Sequence, residues 1–230
     1  MRIYFPFLSA FLLLVAAAGA HAQANDDWSN RTAISTLPFT VNEANFYQAT
    51  IDPTDPDPPC RSLNGEAPSH SLWYSYTTGT STEYLTLTVP NSHVGDPIVS
   101  VYTGVPGAFR IVSGGCSKYS DDDGLMRIAG LRLAANTSYS IEVATQFGSI
   151  NSGNTLDFSV TAATQYAVTK TADTNDGACD ADCSLREAIA ASNANPGAVR
   201  IPAGTYSLTI AGAEEYGNAT GSLDALHGMG

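Results

Sequence analysis

The sequence predicts a mainly β fold: an antiparallel β-sandwich followed by a smaller unit led by one amphipathic helix. Three observations carry this. Apolar and polar residues alternate with period two in short segments between residues 72 and 160. Gly, Pro and Asn punctuate those segments at the spacing of hairpins and sandwich connections. After Ser184 the pattern changes to helical spacing, with Leu185, Ala188 and Ile189 at i, i+3 and i+4, until Pro196-Gly197 stops it with Asn193 and Asn195 in the exit.

Residues 1–22 read as a secretory leader. Arg2 supplies the positive start, residues 5–18 are apolar, and Ala20-His21-Ala22 is a small-x-small cleavage site. A membrane anchor is the competing reading, but the apolar run is short for a span and ends in small residues, not basic ones. We expect a mature chain of about 208 residues, room for one large or two modest domains.

Lys and Arg number 10 against 22 Asp and Glu, a formal charge of −12 that becomes −13 once Arg2 is lost. So acidic a surface repels a phosphate backbone, which argues against nucleic acid as a partner. All four cysteines lie in the exported part, as expected for two disulfides. Cys179 and Cys183 are the local pair, which leaves Cys60 with Cys116. Zinc is the other use of such cysteines, but no histidine lies near either pair in sequence.

In chain order, residues 25–34 suit a lead-in with one helical turn, stopped by Pro38. Residues 39–41 and 46–51 are strand candidates. DPTDPDPPC, residues 52–60, is too proline-rich for a helix or a central strand and reads as an extended loop. Asp52, Asp55 and Asp57 on it are ligands of the kind a hard cation takes, although solvation explains them too.

Strand signals follow at residues 72–77, 84–89, 97–104, 109–113, 125–131, 138–144 and 156–160. In SYSIEVA, Tyr139, Ile141 and Val143 alternate with Ser140 and Glu142, which places the latter two on the water side. Trp73, Tyr74, Tyr76, Tyr84, Tyr102, Tyr119 and Tyr139 are aromatic residues suited to stacking on sugars, or to the core. The acidic triplet Asp121, Asp122 and Asp123 before Gly124 makes either a calcium loop or a hydrated turn.

The order NDDWSNRTAI, SLWYSYT, LTLTV, DPIVSVYTG, SGGC, SYSIEVAT and LDFSV resembles the bacterial pre-peptidase C-terminal type of domain over residues 25–163. That resemblance implies a jelly-roll-like sandwich serving as an accessory module in exported proteins, associated with export or with attachment to polymeric substrates, not with catalysis.

Beyond a boundary near residue 163, a strand starts at Tyr166. Asp173, Asn175 and Asp180 are weak calcium candidates, because the glycine and the final carboxylate of an EF-hand loop are missing. Ser184 is a good N-cap and Glu187, three residues on, completes a capping box. Leu185, Ala188 and Ile189 make the apolar face. Arg186 and Glu187 read as stabilising residues of a capped helix. Residues 199–201 and 205–210 are strand candidates, with Tyr206, Leu208 and Ile210 on one face, so the helix would plug the end of a coil.

CSLREAI followed by the A-N, P-G, IPAGTY and LTI landmarks closely resembles the CSLREA-type segment of bacterial exported proteins, over residues 166–223. This implies the N-terminal cap and first turns of a right-handed parallel β-helix. The family usually continues with T-G-D-L-D-I, whereas Ser222 stands in TGSLD here, and we read the chain as an incomplete β-helix over residues 166–230.

The histidines beyond the leader, His70, His93 and His227, sit in no nucleophile-elbow, zinc-protease or phosphate-cradle motif. Serines near His70 keep a triad open, since geometry and not spacing defines one. The sequence therefore reads as a non-catalytic secreted or cell-surface protein of a bacterium, binding or adhering to an extracellular polysaccharide or protein polymer. The alternative is an accessory piece of a secreted lyase, hydrolase or protease whose catalytic part lies elsewhere. Apart from calcium, no cofactor is implied.

Overall fold

The computed structural model describes residues 23–61, 67–90, 95–118, 125–146, 153–212 and 218–225. The leader, Asp121 to Asp123, Tyr119, His93 and His227 lie outside them. No helix among the described residues is long and apolar enough to cross a membrane.

Among the described residues, nine strands make two facing sheets. The five-stranded sheet runs β1 (Thr32–Ile34), β3 (His70–Thr77), β8 (Ser138–Thr145), β5 (Pro97–Thr103), β6 (Arg110–Lys118). The four-stranded sheet runs β2 (Phe39–Glu43), β9 (Leu156–Ala162), β4 (Glu83–Pro90), β7 (Leu125–Leu133). Their inner faces supply one core, with Leu72, Tyr74, Val101, Ile141 and Val143 from the first sheet and Leu85, Leu87, Met126, Phe158 and Val160 from the second. This is the layered sandwich that period-two alternation demands: each strand turns its apolar set to the opposite sheet.

Three expectations for the sandwich need correction. The pairing is not wholly antiparallel, because the short β1 joins β3 in parallel, with Thr32 opposite Tyr74 and Ile34 opposite Tyr76. Phe46–Gln48 is a 3-10 turn, not a strand; Phe46 is fully buried, so one side-chain anchor replaces a ladder. Glu142 does not face water: it is 1% exposed. Both faces of β8 are covered, since the described part of the loop after residue 51 lies over the outer side of its sheet.

The last part forms a strand–helix–strand unit. β10 (Thr164–Ala167) and β11 (Gly197–Arg200) pair in parallel, and α1 (Leu185–Ala194) lies in the long connection such pairing requires. A small core of Val168, Cys183 and Ala188, flanked by Tyr166, Leu185, Val199 and Tyr206, holds the helix on the strands. Residues 205–210 form no strand; no ladder partner lies beside them among the described residues, and Leu208 is 48% exposed. The unit abuts the sandwich where Gly130 of β7, at φ +67°, meets Ala198 of β11; a Cβ on that glycine would stand 2.8 Å from the Ala198 backbone. Only glycine permits both that conformation and that approach.

Candidate functional site

Two regions concentrate chemistry on the sandwich. The first is a cleft of about 390 Å³ beside the outer edge of the five-stranded sheet. β1 ends at Ile34, so the edge of β3 continues past it, and Ser35, Thr36 and Leu37 turn away to leave a notch. Ser75, Tyr76 and Thr77 form its floor, and Gly79 and Glu83 close one side. The Tyr76 hydroxyl donates to one Glu83 oxygen, and the Gly79 amide donates to the other at 2.7 Å. Burial, with the Glu83 carboxylate beside it, pushes the Tyr76 phenol up to about 12. Ser35, Thr36 and Thr77 are exposed, and the Thr77 and Ser138 hydroxyls bond each other at 2.9 Å. The cleft thus presents the exposed Ser35, Thr36 and Thr77 beside Ile34, Leu37 and Tyr76 at the sheet edge.

The second region is the outer face of the same sheet. Trp73 is completely buried there and stacks on Phe109, with ring centroids 5.4 Å apart and planes at 12°; Tyr102 packs against Phe109 at 5.2 Å. Over Trp73 lies the proline-rich loop. Asp55 accepts hydrogen bonds from the Trp73 indole at 3.1 Å, the Ser71 hydroxyl at 2.9 Å and the Asp52 amide at 3.1 Å. Burial nonetheless raises the proton affinity of Asp55. Beneath it, Glu142 accepts from the Tyr102 hydroxyl at 3.1 Å, while its Oε1 has no partner among the described residues. Burial first, then the charge of Asp55, pushes Glu142 up to about 8.

Cys60 and Cys116 are joined, with Cα atoms 5.8 Å apart, and tie the end of this loop to β6. Ser100 donates its hydroxyl to the Cys116 sulfur at 3.3 Å. Replacing both cysteines with serine should lower stability by about 4 kcal/mol on the chain-entropy account of so long a loop, read as a shift in denaturant midpoint without loss of sheet signal.

The other sequence-predicted residues serve the C-terminal unit. Cys179 and Cys183 are bonded, with Cα atoms 4.5 Å apart. Ser184 and Glu187 form the full capping box: the Glu187 amide donates to Ser184 Oγ at 3.2 Å and the Ser184 amide to Glu187 Oε2 at 2.6 Å. Burial disfavours the Glu187 charge, but the amides of Ser184 and Asp176 outweigh it and hold its carboxyl below the usual range. The calcium candidates are engaged separately: Asp173 with Arg186, Asn175 with the Ala219 carbonyl at 3.2 Å, and Asp180 with the Asp182 amide at 3.2 Å. Among the described residues no group of three or more His, Cys, Asp or Glu gathers to hold a metal.

His70 meets a hydroxyl, since Ser69 Oγ lies 2.8 Å from its Nδ1, and burial lowers its proton affinity. The carboxylate of Asp26 is taken by the Thr50 amide at 2.6 Å and hydroxyl at 2.9 Å. Of the aromatic residues, Trp73, Tyr74, Tyr76, Tyr102 and Tyr139 are buried. Sequence reasoning missed the Glu142 cluster, because alternation placed that residue in water. The signal available was the loop itself, whose clustered prolines and disulfide favour a fixed path over the sheet.

No family model matches the chain, and no curated protein matches it. Among solved structures, it is similar to the pre-peptidase C-terminal domain of collagenase from Bacillus anthracis, at 11% identity over 56% of this chain and 93% of that one, with a TM-score of 0.32. A structure of infectious bursal disease virus, Gt strain, is similar at 17% identity over 54% of this chain and 32% of that one, with a TM-score of 0.20.

Proposed function

We propose that this chain is an exported, non-catalytic accessory module that binds an extracellular polymer, a polysaccharide or a protein chain, in the cleft beside β1. The observation that carries this reading is the notch itself: exposed Ser35, Thr36 and Thr77 hydroxyls surround the Ile34, Leu37 and Tyr76 side chains on a hydrogen-bonded sheet edge. A repeating, hydroxyl- or amide-rich chain matches that mix of a few polar groups on an apolar floor. Two disulfides support an oxidising, extracellular location. The C-terminal unit is read as the capped start of a parallel β-helix, supported by the parallel β10–β11 pair and by α1 packed on it.

Retention of the purified chain on insoluble polysaccharides and on fibrous protein, with and without Thr36→Arg and Thr77→Arg, tests the reading. The wild type should be retained on at least one polymer, and either arginine should weaken retention at least tenfold by filling the cleft. Retention on none of the polymers, or unchanged retention by both variants, overturns it.

A further inference from the structure

Residues 52–61 lie as a strap across the outer face of the five-stranded sheet. The Cys60–Cys116 bond holds one end, and Asp55 holds the middle through Ser71, Trp73 and Asp52. Under it is Glu142, on the central strand β8, 1% exposed and with one oxygen lacking any partner among the described residues.

We infer that uncharged Glu142 is a latch for this strap, and that loss of its proton frees the strap from Trp73 while both sheets stay folded. The groups around Glu142 favour this. From the strap, Asp55 and Asp57 are the carboxylates whose charge acts on it; Asp57 is paired with Arg61 at 2.5 Å, and Asp52 acts on Asp55. From β5, Tyr102 donates to it and stays protonated, burial holding its phenol far above the ordinary range. Its cross-strand neighbours, Trp73 on β3 and Ser100 on β5, carry no charge, and β6 places the bonded Cys116 opposite Ser100, with Lys118 two residues further along that strand.

An ionised Glu142 would therefore face two like charges and one neutral donor, out of water. Relief comes where the structure is weakest. β8 is laddered on both sides, to β3 and to β5, whereas four prolines deny the strap backbone donors. Lifting the strap hydrates Glu142 and separates it from Asp55. It also frees the Trp73 indole N–H that Asp55 holds, so access to the edge of the Trp73–Phe109 stack becomes pH-dependent.

The test follows the Trp73 indole N–H by NMR in the full chain from pH 6 to 9.5, with exchange corrected for base catalysis, alongside a carbon-13 titration of the Glu142 carboxyl. Protection of Trp73 should fall at least tenfold at the midpoint of the Glu142 titration, while β8 amides keep theirs, and Glu142→Gln should stay closed throughout. Three results would each overturn the latch: no loss of Trp73 protection, joint loss with β8, or opening unrelated to the Glu142 titration. If Glu142→Gln does not fold, the coincidence of the two wild-type midpoints still decides.

Discussion

Replacing Arg186 with methionine should cost the C-terminal unit about 3–5 kcal/mol and release residues 205–212 and 218–225 from α1, with the sandwich intact. The guanidinium is completely buried and grips Asp173 in a fork, Nε to Oδ1 at 2.7 Å and Nη2 to Oδ2 at 3.0 Å. It also donates to the carbonyls of Asn218 at 3.2 Å and Gly221 at 3.0 Å, in the segment after residue 217. Asp173 Oδ2 in turn accepts the amides of Thr209 at 2.6 Å and Ile210 at 2.9 Å. One fork therefore organises two stretches that have no ladder of their own.

Methionine would keep the bulk and strand a buried carboxylate. Lysine would not rescue it, since a single ammonium cannot reproduce the planar fork. Hydrogen exchange read by mass spectrometry checks this: protection should be lost in peptides covering 205–212 and 218–225 and retained in β3, β5 and β8. The same pair sets an acid limit. The Arg186 fork, against some burial penalty, lowers Asp173 to about 2. A depressed carboxyl adds stability above its unfolded value, and that stability disappears as pH falls through about 2.

Glu142→Gln should act in the opposite direction. Its folded-state value, about 8, lies above the ordinary 4.5, so the folded chain keeps a proton that the unfolded chain gives up. Stability from this group is therefore complete below pH 4.5 and is lost as pH rises towards 8, by roughly 1.4 kcal/mol per pH unit. Glutamine keeps the shape and an acceptor for Tyr102 without titrating. The variant should be more stable than wild type by on the order of 3 kcal/mol at pH 8 and nearly equal to it at pH 4. Denaturant unfolding at the two pH values checks this, and equal differences at both would sink it. Opening of the strap limits the wild-type loss at the alkaline end.

Much of the sandwich was legible because alternation is a local property. LTLTV and LDFSV declare their buried faces residue by residue, and β4 and β9 present those faces to the core. The helix was equally legible: Ser184 and Glu187 are close enough in sequence for their bonds to be read from spacing. The candidate cleft was not, because it exists only where β1 ends before β3 does, and a three-residue parallel edge strand leaves almost no pattern.

The sequence by itself determined the long strands of the sandwich, the capped helix and two pairs of cysteines, since each depends on neighbours within a few residues or on simple pairing. Tertiary structure alone decided what covers each surface. Glu142 alternates as a water-facing residue and is buried by a strap drawn from residues 52–61; Arg186 sits on a short helix like any surface arginine and is buried by a segment more than 30 residues away. Periodicity says which way a side chain points. Whether water or another part of the chain meets it depends on long-range closure, and both Glu142 and the Arg186–Asp173 pair lie under such closures.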